Sequence, residues 1–165
     1  MCTPTEQPYA DVELFDDLGI NAEDLLIRYL RSPWQIKRHE SGDWKISPQA
    51  FKQKGSTSID LACLLERDGH TQLHRLGRMP DIYAAIVVSA AAARRHANGA
   101  AWTPKPLIPD EPGAAGEPNP YHGEVIGPVS SPASRELLQV SVEIAGVRPD
   151  GQPYSHPGAL PKIVF

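Results

Sequence analysis

The clearest periodicity in the chain lies in WQIKRHE-SG-DWKIS, residues 34–47. Trp34 and Ile36 alternate with polar residues, as do Trp44 and Ile46, and Ser41-Gly42 stands between the two runs. Period-2 alternation around a glycine-containing turn predicts a β-hairpin. Trp34, Ile36, Trp44 and Ile46 would share one face, with Gln35, Lys37 and Lys45 on the other. DIYAAIVV, rich in β-branched residues, predicts a buried strand, and YHGEVIG a short one.

Helical signals alternate with these strands. Ser47-Pro48 suits the start of a single helical turn, PQAF. Ser58 is a candidate N-cap for IDLACLLERDG, with Gly69 at the exit. Ser89 caps a segment ending at Gly99 whose last turn carries Arg94, Arg95 and His96, in keeping with the helix dipole. Ser131-Pro132 opens a helix expected to run through RELLQVSVEIAG to Gly146. Before the hairpin, Asn21 and Asp24 stand where a cap and its capping-box acid would. The segment AEDLLIRYL is then either a short helix or a helix running into a strand, which its length cannot decide.

These elements predict an α+β fold: a single small domain with a short, mostly antiparallel sheet, two or three helices and Pro-rich loops. Residues 1–20 read as a loosely held acidic arm, 21–146 as the domain, and 147–165 as a Pro-rich tail pinned by Ile163, Val164 and Phe165. Six of the 17 prolines fall within residues 104–120, a density no helix or central strand survives. A Pro-rich loop at 103–120 follows. The 165-residue length suits one domain. Neither a long apolar run nor a basic leader is visible, so no transmembrane helix or signal peptide is expected and a cytoplasmic location is.

The formal charge of −4 conceals an acidic–basic–acidic order: −7 over residues 1–24, +7 over 28–105 and −4 over 106–165. The acidic head is thus a candidate to fold over the basic middle. Two cysteines, Cys2 and Cys63, are too few for a disulfide framework. Cys2 sits in a terminus expected to fray, and Cys63, in the apolar run IDLACLL, reads as a buried inert thiol.

Candidate chemistry is sparse. His70 and His74 have i, i+4 spacing, but a structural zinc site needs four ligands and no CxxC pair exists, so no metal site is expected. His122 and Glu124 alternate onto one strand face. Zinc deaminases carry such an HxE but also need a downstream PCxxC, absent here. No phosphate-cradling glycine motif or nucleophile elbow occurs either. The hairpin supplies the binding candidates: Trp34 and Trp44 to stack bases, with Lys37, Arg38 and Lys45 to meet phosphates. An isoelectric point near 5.8 speaks against nucleic acid as the partner.

Three stretches, SPQAF (47–51), STSID (56–60) and NPYHGEVIG (119–127), resemble a pattern in small uncharacterised bacterial proteins. There, Ser-x-x-Ala-Phe precedes a Ser-Val-Asp-like step and a later Asn-Pro-x-His strand. The resemblance implies a compact unit that brings Phe51, Ser58, Asp60 and His122 together, without supplying an activity. A second resemblance rests on Arg28, Ser56-Thr57-Ser58 and Glu124, whose order is similar to the Arg, Ser-Thr-Ser and Glu of ADP-ribosyltransferases. It implies that Arg28 grips an NAD phosphate, the serine motif shapes the nicotinamide pocket and Glu124 orients the attacked ribose. The short Arg28-to-Ser56 interval and the lack of a Glu-x-Glu pair depart from that family.

The leading functional expectation is a cytoplasmic bacterial accessory protein that binds a protein partner without a cofactor, as the small member of a defence or toxin–immunity module. The alternatives are an NAD- or nucleotide-using enzyme with Arg28, Ser58, His122 and Glu124 as catalytic residues, and a nucleic-acid-binding module through residues 28–54.

Overall fold

The computed structural model describes residues 1–9, 13–31, 35–38, 40, 44–51, 55–70, 82–106, 118–140, 143–145 and 163–164. Nine strands are described: β1 (Leu25–Arg31), β2 (Ile36–Arg38), β3 (Trp44–Ile46), β4 (Thr57–Leu61), β5 (Ile82–Ser89), β6 (Ala100–Trp102), β7 (His122–Val125), β8 (Glu143–Ala145) and β9 (Ile163–Val164). Three α-helices accompany them: α1 (Ala62–Arg67), α2 (Ala90–His96) and α3 (Ser131–Gln139). A 3₁₀ turn spans Pro48–Ala50.

The main sheet has the order β6-β7-β4-β1-β5-β8, every neighbouring pair antiparallel. This is the α+β, mostly antiparallel architecture that the alternating patterns predict. A second sheet, β2-β3-β9, contains the hairpin, with Ile36 opposite Ile46, Lys37 opposite Lys45 and Arg38 opposite Trp44. Trp34 lies outside the described residues, as do the side chains of Ile36, Lys37, Arg38, Trp44 and Lys45, and with them the expected shared face. The tail's Ile163 and Val164 join β3 in parallel.

The centre of the main sheet is apolar on both faces. Along β1, Leu26, Ile27 and Leu30 are fully buried, and along β5 so are Ala84, Ala85, Ile86, Val87 and Val88. Consecutive residues of a strand point to opposite faces, so burial of both phases means the strand pair is covered on both sides. Helix α3 packs against β5, α2 and the 3₁₀ turn, and α1 packs against β1. Capping fixes the helix starts. The Ser89 hydroxyl accepts from Ala92 N–H and that of Ser130 from Ala133 N–H, both at 3.2 Å.

Three local readings are corrected. Ser58 does not cap a helix: it lies within β4, and α1 starts only at Ala62. Ser58 is the one exposed residue of a strand paired to β1 and β7, and that pairing overrides the cap signal. The helix opened at Ser131 stops at Gln139, and residues 143–145 form β8 beside β5. The β-branched Val140, Val142 and Ile144 alternate there, a pattern that favours a strand. Finally, AEDLLIRYL forms a turn and then β1. The Asp24 carboxylate still accepts from Asn21 N–H at 2.6 Å, so the capping-box bond forms without the helix.

The acidic arm is tied down. Thr3 N–H donates to the Gly19 carbonyl (3.0 Å), and Gln7 N–H to that of Trp102 (2.9 Å), continuing a parallel bridge between Glu6 and β6. The buried Gln7 side chain clasps the Phe15 backbone through both its oxygen and its nitrogen. Asp16 pairs with Arg94 at 2.8 Å, so the acidic head does meet a base of the middle segment. This docking carries Cys2 to Cys63, and the two are disulfide-bonded with their α-carbons 6.1 Å apart. The expectation of a fraying Cys2 and a free, inert Cys63 is therefore corrected. Backbone pairing, invisible in an acidic and irregular sequence, brings the sulfurs together.

Candidate functional site

Pairing of β4 with β7 builds the site. Ser58 stands opposite Glu124 and Asp60 opposite His122, so all four share one face of the ladder. Gly123 lies between the two β7 side chains. A β-carbon there would run into the Ala101 carbonyl oxygen, so a glycine is what lets β6 close against β7. The face grades inward from the exposed Ser58, through the half-buried Glu124, to His122 and Asp60, which are 5% and 2% exposed.

Glu124 is the junction. Its Oε1 accepts from the Ser58 hydroxyl at 3.3 Å and lies 3.4 Å from His122 Nε2. Its Oε2 is buried and has no hydrogen-bond partner among the described residues. Burial pushes the Glu124 carboxyl up to about 7, while the Ser58 hydrogen bond and the charges of Arg28 and Lys105 pull the other way.

On the far side of the imidazole, His122 Nδ1 lies 2.7 Å from the Thr103 carbonyl. A carbonyl only accepts, so Nδ1 carries the proton and Nε2 faces the carboxyl. A protonated Glu124 then donates to a neutral imidazole; an ionised one faces either a lone pair or an imidazolium N–H. The Tyr9 ring meets the His122 ring edge-on, with centroids 5.3 Å apart, and Lys105 Nζ lies 5.8 Å from the Tyr9 centroid.

Asp60 is fixed by Asn119, whose Nδ2 donates to Oδ1 at 2.7 Å. Asn119 in turn exchanges backbone bonds with Lys105 at 2.8 and 2.9 Å, closing the base of the Pro-rich loop. Thr57 donates its hydroxyl to the Phe51 carbonyl at 3.1 Å. The Phe51 backbone is thus tied to β4 through Thr57, while Ser58 and Asp60 face Glu124 and His122 across the ladder.

Arg28 lies at the edge of this site. The ladder between β1 and β4 joins only Leu26 to Leu61 and Ile27 to Asp60. Beyond it the Arg28 guanidinium bridges backbone carbonyls, with Nε donating to Ala50 at 2.8 Å and Nη1 to Ser58 at 3.0 Å. Its charge is felt at Glu124, but two of its donors serve the fold. Arg28, Ser58, Glu124 and His122 form one connected chain of contacts across β1, β4 and β7.

Elsewhere, the His70 ring meets Tyr121 edge-on, with centroids 5.7 Å apart, and His74 lies outside the described residues. Sequence reasoning finds Ser58, Asp60, His122 and Glu124 but misses Thr103, Asn119 as the Asp60 partner, Lys105 and Tyr9. Thr103 acts through a backbone carbonyl, which has no sequence signature. Tyr9 belongs to an arm whose docking no pattern announces. Comparison of the chain with protein-family models, with curated proteins and with solved structures returned no match.

Proposed function

We propose that Ser58, Glu124 and His122 form the acid/base centre of an enzyme acting on NAD or another nucleotide. The observation that carries this reading is the Glu124 carboxyl, held between an exposed hydroxyl and a tautomer-fixed imidazole and poised near neutral pH. In its ionised form the carboxylate suits two tasks on a nucleotide ribose. It accepts a hydrogen bond from a ribose hydroxyl, and it stabilises positive charge at the anomeric carbon as the base departs. The imidazole behind it buffers the proton. Arg28 and Lys105 bias the neighbourhood toward an anionic ligand. In this reading Arg28 acts by charge and by shaping β4.

The test is turnover. NAD and a panel of nucleotides are incubated with the protein, and release of the free base is followed by chromatography. Glu124→Gln, which keeps the shape and removes the proton chemistry, should lower the rate about 100-fold or more. Absence of turnover, together with no NMR shift of Ser58 or His122 on adding NAD, overturns the reading.

A partner-binding reading, the small member of a defence or toxin–immunity pair, draws on a separate observation. Phe15 and Leu18 project from the docked arm at 62% and 80% exposure. Retention of one stoichiometric protein that Phe15→Ser and Leu18→Ser abolish would favour it. Retention unaffected by both would count against it.

A further inference from the structure

The disulfide between the arm and α1 has a third neighbour. A carboxylate oxygen of Asp24 and the sulfurs of Cys2 and Cys63 all lie within 4.8 Å of one another, and all three residues are half-buried. They come from three separate parts of the chain: the arm, the turn before β1 and the first turn of α1. We propose that, once the Cys2–Cys63 disulfide is reduced, Cys2, Cys63 and Asp24 form a Zn²⁺ site.

The site survives loss of the sulfur bond because other contacts hold each donor. The arm keeps the Thr3–Gly19 and Gln7–Trp102 backbone bonds. Cys63 is fixed by α1, whose Ala62, Leu64 and Leu65 are buried. Asp24 is oriented by Asn21, whose backbone N–H and Nδ2 donate to its Oδ2 at 2.6 and 3.1 Å. The same Nδ2 donates to the Met1 carbonyl at 3.1 Å, which ties the carboxylate to the residue next to Cys2. Outer contacts of this kind pre-set a ligand's direction in metal sites.

Donor chemistry selects the ion. Thiolate sulfur favours zinc over magnesium or calcium, which take all-oxygen sets. Zinc bonds of about 2.3 Å to sulfur and about 2.0–2.2 Å to oxygen need donors roughly 3.5–3.8 Å apart, so once their covalent bond is broken the two sulfurs move apart to make room for the ion, with the Asp24 oxygen already within 4.8 Å of both. Three protein donors leave a fourth tetrahedral position for water or an external ligand, as in sites that exchange or react.

The two states exclude each other and balance simply. A dithiol reductant passes two electrons and two protons to the disulfide and is itself oxidised to a disulfide. Zinc then displaces the thiol protons as it binds. The proposal is independent of the Glu124 reading.

The experiment uses the full chain, reduced with a phosphine and desalted without air, then titrated with Zn²⁺ against a chromophoric chelator. The expected result is a single equivalent bound with proton release, and with Co²⁺ in its place a thiolate-to-cobalt charge-transfer band. Cys63→Ser should weaken binding at least 100-fold and Asp24→Asn about 10-fold or more, near the range typical of changes around a metal site. The air-oxidised wild type is the control that needs no substitution, because it is the fold described above. Zinc bound no more tightly by the reduced than by the oxidised chain overturns the proposal, as does a cobalt spectrum with no thiolate band.

Discussion

The ladders β1–β5 and β4–β7 belong to one sheet, yet they are put to opposite uses. At the centre of the β1–β5 ladder the facing pairs include Leu26 with Val88 and Ile27 with Val87, all fully buried. Between β4 and β7 they include Ser58 with Glu124 and Asp60 with His122. Backbone pairing is the same kind of antiparallel ladder in both, so the difference lies in the side chains alone. Apolar pairs convert burial into stability, at about 1.5–3 kcal/mol per large side chain. Polar pairs at comparable depth cost desolvation unless each group finds a partner, and Glu124 Oε2 finds none among the described residues. Where a sheet keeps such a group in spite of its cost, the group is a candidate for chemistry rather than for cohesion.

The sharpest way to break this contrast is Ile27→Ala. Ile27 is fully buried, pairs with Val87 on one side and stands opposite Asp60 on the other. Its truncation should cost about 2–5 kcal/mol, read from urea unfolding. Among molecules still folded, the titration of Glu124 should be unchanged. A large shift in that titration at small stability cost would mean that the two ladders are not separable.

The second effect is a pH dependence confined to the β4–β7 side. Glu124 has its carboxyl raised from 4.5 to about 7, chiefly by burial. The folded state therefore holds a proton that the unfolded chain releases, and stability falls as pH rises between those values. The contribution is fully present below about 4.5 and is lost by the time the pH passes about 7. It amounts to a few kcal/mol, because each tenfold gain in proton affinity on folding is worth about 1.4 kcal/mol. Glu124→Gln carries no proton to lose, so its stability should be flat over that window and exceed that of the wild type at pH 8. Parallel curves for the two proteins would refute the raised carboxyl.

How far this contrast can be read in the sequence depends on where each residue's information lies. After Asp81, IYAAIVV is an unbroken apolar and aromatic run and announces a buried strand. HGEV places His122 and Glu124 on one face by counting alone. Ser58 is harder, because serine before an apolar run fits both a helix cap and the exposed phase of a strand. What decides it is β7, more than 60 residues downstream in sequence, where Glu124 offers it a partner. The Cys2–Cys63 link and Tyr9 are illegible for the same reason: both depend on the arm pairing with Gly19 and Trp102 through backbone atoms. Arg28 is legible only as a ligand grip. Its role in bridging the carbonyls of Ala50 and Ser58 exists only because β1 and β4 part after two residue pairs.

That bridging gives a third, smaller test at the boundary between the two ladders. Arg28→Met keeps much of the length of the side chain and removes both donors, leaving the two carbonyls without them. A loss of about 1–3 kcal/mol is expected. Because the Arg28 charge holds the Glu124 carboxyl down, its removal should also move that titration upward. A stability loss without any movement at Glu124 would make Arg28 purely a part of the scaffold.

Ser58→Ala should have the smallest effect on stability and the most informative one on chemistry. Ser58 is exposed, and its 3.3 Å bond to Glu124 is long, so its loss should cost less than about 1 kcal/mol. The hydroxyl nevertheless lowers the Glu124 carboxyl by donating to its ionised form. Without it the carboxyl should titrate higher, readable by NMR through the neighbouring His122 ring. The stability lost with rising pH should then disappear at higher pH than in the wild type. Ile27→Ala and Ser58→Ala thus form opposite extremes: a large loss of stability with the titration intact, and a shifted titration with stability nearly intact. A Ser58→Ala protein that titrates like the wild type would separate Ser58 from Glu124. The acid/base centre would then reduce to Glu124 and His122, with the hydroxyl left as an ordinary surface group.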